Sequence, residues 1–288
     1  MLSYIHAYHA GNHADILKHT VLVLLMESLN AKQKPYTFFD THAGSGLYSL
    51  DDERAVKTGE SEKGIKKLLQ FSEEKSPPEE MRSYLELAKN YFSARQYPGS
   101  PLIVSDLLFE GSVHIASELH NTEFENLKKN MHSRKINLHH RDGWEMLNAL
   151  TPPKIKRGAV LCDSSYEELA DYENARKVLP TVYKKWQTAT MCLWYPLIRY
   201  RRDIIEDMKN ALSVSVKNIN ASAEILDVTL CVESESAHKE TSLKDAIGSE
   251  SPRLYGSGMF IINPPWKLDE KLSIVLPYIR EALKVETF

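Results

Sequence analysis

From Val113 onward the chain alternates short apolar runs with helical stripes, and few architectures accept that pattern. Val113–Glu118 reads as a strand, Asn121–Met131 as a helix, Ile136–His140 as a strand and Gly143–Leu150 as a helix. The strand Ala159–Cys162, a helix near Glu168–Trp186 and the strand Ala189–Trp194 continue the series. A helix is expected at about Arg202–Leu212, then Ile225–Val232, a polar loop at about Glu233–Tyr255, the strand Met259–Ile262 and a last helix from about Asp269. Parallel strands need a crossover long enough to hold a helix, so this alternation implies a parallel sheet covered on both faces.

The chain opens differently. Asn12 is a good N-cap, and Asp15 three residues later has the side chain of a short capping box. Ile16, Leu17, Val21, Leu24, Leu25 and Leu29 then form a helical stripe that Pro35 ends, and Tyr36–Phe39 reads as a buried strand. Residues 49–96 are charge-rich, are split by Ser76-Pro77-Pro78, and carry two helical patterns, Glu60–Phe71 and Glu79–Phe92. This segment reads as a helical insertion, dividing a core of residues 1–48 and 97–288. Ser100-Pro101 opens another helix, with serine as N-cap and proline at the first helical position.

After the first strand comes Asp40-Thr41-His42-Ala43-Gly44-Ser45-Gly46. Gly44-Ser45-Gly46 is a tight turn placed where doubly wound sheets bind nucleotide-like ligands. A nicotinamide enzyme would carry a third glycine where Ser49 stands. Glu118 closes the second strand of the series and can hold both hydroxyls of a ribose. Asp142-Gly143, after the third, suits an adenine edge. Each acid alone reads as a helix cap; three strand ends in succession fit an adenosyl cofactor.

At this point the residues resemble a known family. Tyr4-x-His6-x-x-His9-Ala10-Gly11-Asn12-His13-Ala14-Asp15-x-x-Lys18-His19 is similar to the N-terminal signature of bacterial enzymes that methylate adenine N6 in 23S ribosomal RNA, the methyltransferase J family. So are Tyr97-Pro98-Gly99-Ser100-Pro101, Glu118-Leu119-His120, Leu193-Trp194-Tyr195-Pro196 and Asn263-Pro264-Pro265-Trp266-Lys267. The resemblance implies an α/β, Rossmann-like, S-adenosylmethionine-dependent methyltransferase: a mostly parallel seven-stranded sheet with a small helical insertion, acting as a monomer. It implies methyl-donor contacts at His19, His42, Ser100, Glu118, Asp142, Gly143 and Asp163, and places Tyr4, His6 and Lys18 beside the substrate. His9 and His13 have the spacing of metal ligands on a helix. With the resemblance this segment becomes a lid over the cofactor, and no metal is expected.

Adenine N6 is a poor nucleophile because its lone pair is delocalised into the ring. Enzymes of this type answer with Asp/Asn/Ser-Pro-Pro-aromatic after the fourth strand. The side-chain oxygen and the first proline's carbonyl accept the two N–H groups, and the aromatic stacks on the flipped base. Here Asp163-Ser164-Ser165-Tyr166-Glu167 stands at that place, so Asp163, the Ser164 carbonyl and Tyr166 are the catalytic candidates. The fixed φ of two prolines is missing, and a misplaced acceptor costs on the order of a hundredfold in rate. Asn263-Pro264-Pro265-Trp266 fits the motif better by letter. It follows the seventh strand, antiparallel in such sheets, and therefore reads as a structural turn on the opposite edge.

Bulk properties narrow the partners. The net charge of −3 over 288 residues requires RNA contact to come from a local basic patch or from a concave site that captures one nucleotide. Arg199, Arg201 and Arg202, just after a strand, are candidates for phosphate contact. Cys162, Cys192 and Cys231 sit in apolar runs, too far apart for a zinc pair. No secretory signal or membrane span is legible, so a cytoplasmic protein is expected. Two alternatives stand beside 23S ribosomal RNA methylation: N6 methylation of DNA, and a cofactor- or RNA-binding protein silenced by its two serines.

Overall fold

The Asn12 side chain accepts the amides of Ala14 and Asp15, and the helix it caps, α1 (His13–Asn30), is buried on every side over residues 14–26. A helix enclosed all round belongs inside a fold rather than on its surface. A computed structural model shows what encloses it and describes residues 5–233 and 254–283. Tyr4 and most of the expected polar loop lie outside the described residues.

Among the described residues nine strands follow α1: β1 (Thr37–Asp40), β2 (Leu47–Ser49), β3 (Gln96–Pro98), β4 (Val113–Glu118), β5 (Asn137–His140), β6 (Gly158–Cys162), β7 (Thr190–Leu197), β8 (Ile225–Cys231) and β9 (Gly256–Ile262). Seven make one sheet in the order β5-β4-β1-β6-β7-β9-β8. β5, β4, β1, β6 and β7 run parallel, and β9 is antiparallel to both β7 and β8. Every residue of β1, β6 and β9 is buried, as a sheet covered on both faces demands. The crossovers are α6 (Ser100–Asp106), α7 (Asn121–Asn130), α8 (Gly143–Leu150), α9 (Leu169–Lys185) and α10 (Arg202–Ile219), the last running a further two turns past the expected end. Gly99, not Ser100, occupies the cap position of α6.

Residues 49–96 carry four helices instead of two: α2 (Glu53–Thr58), α3 (Glu60–Lys63), α4 (Ile65–Glu74) and α5 (Arg82–Ser93). Their root is an antiparallel pair absent from the sequence-based expectation, with Tyr48 opposite Tyr97. Three-residue strands are too short for an alternation to register. The apolar faces of α4 and α5 join the main core through Ile65, Leu68 and Tyr84, and Phe71 meets Tyr278 of the final helix α11 (Leu268–Ala282) at 5.1 Å.

The Asn263 turn lies on the edge where β7 begins, since Met191 pairs with Ile262. Asn263 takes a positive φ of 51° and its amide donates to the carbonyls of Gln187 and Ala189 at 2.8 and 3.0 Å. It is a structural turn, and Trp266 beside it is 86% exposed.

Candidate active site

The C-terminal ends of four neighbouring strands, β5, β4, β1 and β6, bring the expected residues into one row. Glu118 ends β4, and its two carboxylate oxygens accept the amides of Gly44 at 2.8 Å and His120 at 2.7 Å. The glycine turn is therefore tied to Glu118 across the sheet edge. Gly44 has φ +58°, and a β-carbon there would lie 2.1 Å from the Tyr48 hydroxyl. Asp142 caps α8 through the Glu145 amide at 2.8 Å. Gly143 allows that helix to sit on the exit of β1, where a β-carbon would come within 1.9 Å of the Thr41 carbonyl. His42 bonds Thr41 at 2.7 Å and meets the Trp144 ring edge-on at 5.3 Å.

Asp40, not among the expected site residues, ends β1 fully buried, and neither of its carboxyl oxygens makes a hydrogen bond of normal geometry. Burial pushes its pKa up to about 7. The Ser100 hydroxyl restrains that rise, Asp163 adds to it, and Lys18 and the His42 amide oppose it.

A second group comes from α1. Lys18, 4% exposed, places its ammonium 2.8 Å from Asp15 Oδ1 and 2.5 Å from Asp163 Oδ2. Burial disfavours that charge, but the two carboxylates outweigh it and hold Lys18 protonated beyond the ordinary lysine range. Asp15 does not close a capping box. Its Oδ2 instead takes the Gly11 amide at 2.8 Å and His6 Nε2 at 3.0 Å, folding the N-terminal segment back over the helix. Burial would raise the Asp15 pKa, yet His6, Lys18 and His19 bring it well below the usual carboxylate range. His19 is enclosed, 1% exposed, bonded to the Tyr97 hydroxyl at 2.9 Å and kept neutral by burial, which lowers its pKa to about 3. It stands behind the edge rather than on it.

His9 bonds Glu60 of α3 at 2.9 Å, and the Asn12 amide bonds the same carboxylate, so these residues tie the N-terminal segment to the helical one. Among the described residues no group of three or more His, Cys, Asp and Glu could hold a metal.

Asp163 follows β6 directly, and Ser164 beside it is buried. Tyr166, expected to stack on a base, turns inward instead. Its φ is +53°, it is 1% exposed, and its ring packs on Tyr172 at 4.6 Å and Trp194 at 6.0 Å. The left-handed backbone sends the side chain into the core. Arg201, a candidate for phosphate, is engaged with this loop: its guanidinium donates to the carbonyls of Tyr166 and Glu167. Asp15 and Asp40 carried the one usable signal that sequence reasoning passed over: acids inside apolar surroundings need a reason to be there.

A sheet in this order, with a glycine turn after the central strand and acids at the neighbouring strand ends, defines a Rossmann-like transferase of the S-adenosylmethionine-dependent class. The family model described as "Ribosomal RNA large subunit methyltransferase D, RlmJ" matches residues 33–287, and the chain belongs to this ribosomal RNA methyltransferase family. It is 36% identical over 287 residues to ribosomal RNA large subunit methyltransferase J of Escherichia coli K12, covering 98% of this chain and 94% of that one. The Haemophilus influenzae protein of the same name is 34% identical, with 99% and 95% covered. A solved structure of a Legionella pneumophila protein has a similar fold, with TM-score 0.81, 28% identity, and 97% and 96% of the two chains covered. Among the described residues no helix is long and apolar enough to cross a membrane.

Proposed function

We propose that this enzyme methylates the exocyclic N6 of an adenine in 23S ribosomal RNA, with Asp163 as the acceptor that orients the amine. The observation that carries this function is the placement of Asp163 at the end of β6, beside the glycine turn's strand, with Lys18 on its Oδ2 at 2.5 Å. Residues for the donor fit the molecule they would hold. Glu118 has lone pairs left for two ribose hydroxyls after accepting two amides, and Asp142 and Gly143 would meet the adenine edge. The orphaned oxygens of Asp40, beside Ser100, call for a hydrogen-bond donor, which the ammonium group of a bound amino-acid moiety would provide. His42 completes the row, and His19 acts through Tyr97 from behind it.

S-Adenosylmethionine supplies an electrophilic methyl group when bound. On the protein's side, Asp163 and the Ser164 carbonyl would accept the two N6 hydrogens and favour a tetrahedral nitrogen; the N–C bond would form as the donor's S–C bond breaks, its electron pair staying on sulfur, and the surplus N6 proton would pass to water. Lys18 holds Asp163 in place. His6 belongs to the segment that Asp15 holds against α1, and it is assigned, with Tyr4, to the incoming nucleotide. That all these groups lie on one chain supports a monomer, and a ribosomal RNA substrate supports a cytoplasmic enzyme. The paired β2 and β3 at the root of residues 49–96 support their being an insertion in a core of residues 1–48 and 97–288.

The test is methyl transfer from labelled S-adenosylmethionine to unmodified large-subunit transcript, with nuclease mapping of the product. The expected result is N6-methyladenosine at a single adenine, lost by about a hundredfold or more in Asp163→Ala without loss of fold. Equal transfer to the matching DNA strand would replace the RNA assignment, and donor binding with no transfer would leave a silenced binding protein.

A further inference from the structure

The loop of residues 163–167 is ordered by side chains from outside it, where enzymes of its type rely on two proline rings. Lys18 meets Asp163 at 2.5 Å, and Asp171 in the first turn of α9 accepts the Tyr166 amide at 3.1 Å. Arg201 lies in a single helical turn, Arg199–Arg201, just after β7. Because β7 runs parallel beside β6, that turn sits next to the loop that follows β6. The Arg201 guanidinium reaches across to donate to the Tyr166 carbonyl and, at 3.1 Å, to the Glu167 carbonyl. Its face is steadied by the rings of Tyr172 at 5.8 Å and Tyr200 at 5.5 Å.

The Tyr166 peptide units are thus gripped at the amide by Asp171 and at the carbonyl by Arg201, while φ is +53°. L side chains rarely adopt that conformation, and it persists only where the surroundings over-determine it. Two serines without proline's fixed φ precede it, so without the grip the direction of the Ser164 carbonyl rests on the packing around Ser164 alone.

We propose that Arg201 is a positioning residue that, together with Asp171, takes the place of the missing prolines and fixes the Ser164 carbonyl for the adenine amine. This rests on the assignment of Asp163 and Ser164 to the reaction. Arg201 acts through the loop, with one donor of each terminal nitrogen engaged by a loop carbonyl. Lysine cannot reproduce the fork, so charge and geometry can be separated.

The experiment measures kcat, RNA KM and donor Kd for Arg201→Ala and Arg201→Lys, each also in a Ser164→Pro/Ser165→Pro background, with Asp163→Ala in parallel. Neither the Ser164 nor the Ser165 amide donates a hydrogen bond among the described residues, so proline costs none there. Both Arg201 variants should lose about tenfold to a hundredfold in kcat, with KM and Kd within about twofold of the parent. In the double-proline background the loss should shrink to about threefold or less, the signature of two devices with one task. Should the proline variant fail to fold, the Arg201→Lys result decides alone. A lysine variant with parental kcat, or an alanine variant that raises KM and flattens the salt dependence of RNA binding, would mean a phosphate contact and overturn the inference. An Asp163→Ala enzyme with full activity would instead remove the site assignment, and this inference with it.

Discussion

Tyr166 carries one of the unsatisfied side chains near the site. Its hydroxyl is buried without a partner, and burial first, then Tyr172 and Cys162, drives its pKa well above the usual phenol range. A buried donor left unpaired costs about 1–3 kcal/mol. Tyr166→Phe keeps the ring against Tyr172 and Trp194 and removes that cost. It should raise the thermal midpoint by about 2–4 °C, equivalent to roughly 1 kcal/mol for a chain of this size, when followed by calorimetry. A lower midpoint would show that the hydroxyl has found a partner. The side chain was legible as an aromatic at the right spacing, but its direction was not. Direction followed from one backbone dihedral, with Asp171 at the Tyr166 amide and Arg201 at its carbonyl.

Among the elements, α1 has the most unusual task. It lies inside the fold, yet Asp15, Lys18, His19 and Thr20 follow one another around its buried surface. A polar cluster of that kind holds only if the charges are paired, and the pairing crosses from α1 to the end of β6. Removing one partner of a buried pair leaves the others uncompensated, at about 3–5 kcal/mol. Lys18→Met preserves the volume and removes the charge between two carboxylates. Urea unfolding should show a loss in that range for this variant. A change below 1 kcal/mol would mean that the Asp15–Lys18–Asp163 bridge is open in solution. The stripe of α1 was readable from Ile16 to Leu29, whereas the bridge was not, because its far end is 145 residues away in sequence.

Across the whole molecule, two buried carboxyls set opposing limits on stability with pH. Asp15 is held well below its unfolded value of 3.8, so its contribution is fully present above that pH and is lost as acid protonates the folded protein. Asp40 is the reverse case. Its folded pKa of about 7 lies above the unfolded 3.8, so its contribution is fully present below pH 3.8 and is lost as pH rises through 7. Asp40→Asn removes the second effect. Relative to the parent, that variant should gain on the order of 2 kcal/mol between pH 5 and pH 8 in donor-free urea titrations. An unchanged difference between the two pH values would show that Asp40 is ionised throughout.

The sequence by itself determined the order of strands and crossovers after Val113, the cap at Asn12, the glycine turn and the acids at the strand ends. Each is a local matter of period, cap or spacing, and a window of ten or so residues contains all of its causes. The Asn263 turn was separated from the site by what the methyltransferase architecture implies, a last strand antiparallel to the others that ends on the far edge, and not by a local signal. What only the tertiary structure decided is how those ends are joined. Two three-residue strands close the root of residues 49–96, Asp15 turns from a cap partner into an anchor for His6, Gly11 and Lys18, and Arg201 reaches the carbonyls of Tyr166 and Glu167. None of these has a period or a neighbour to announce it. They follow from burial, where a charge or an amide without water takes whichever partner the packed sheet brings within about 3 Å.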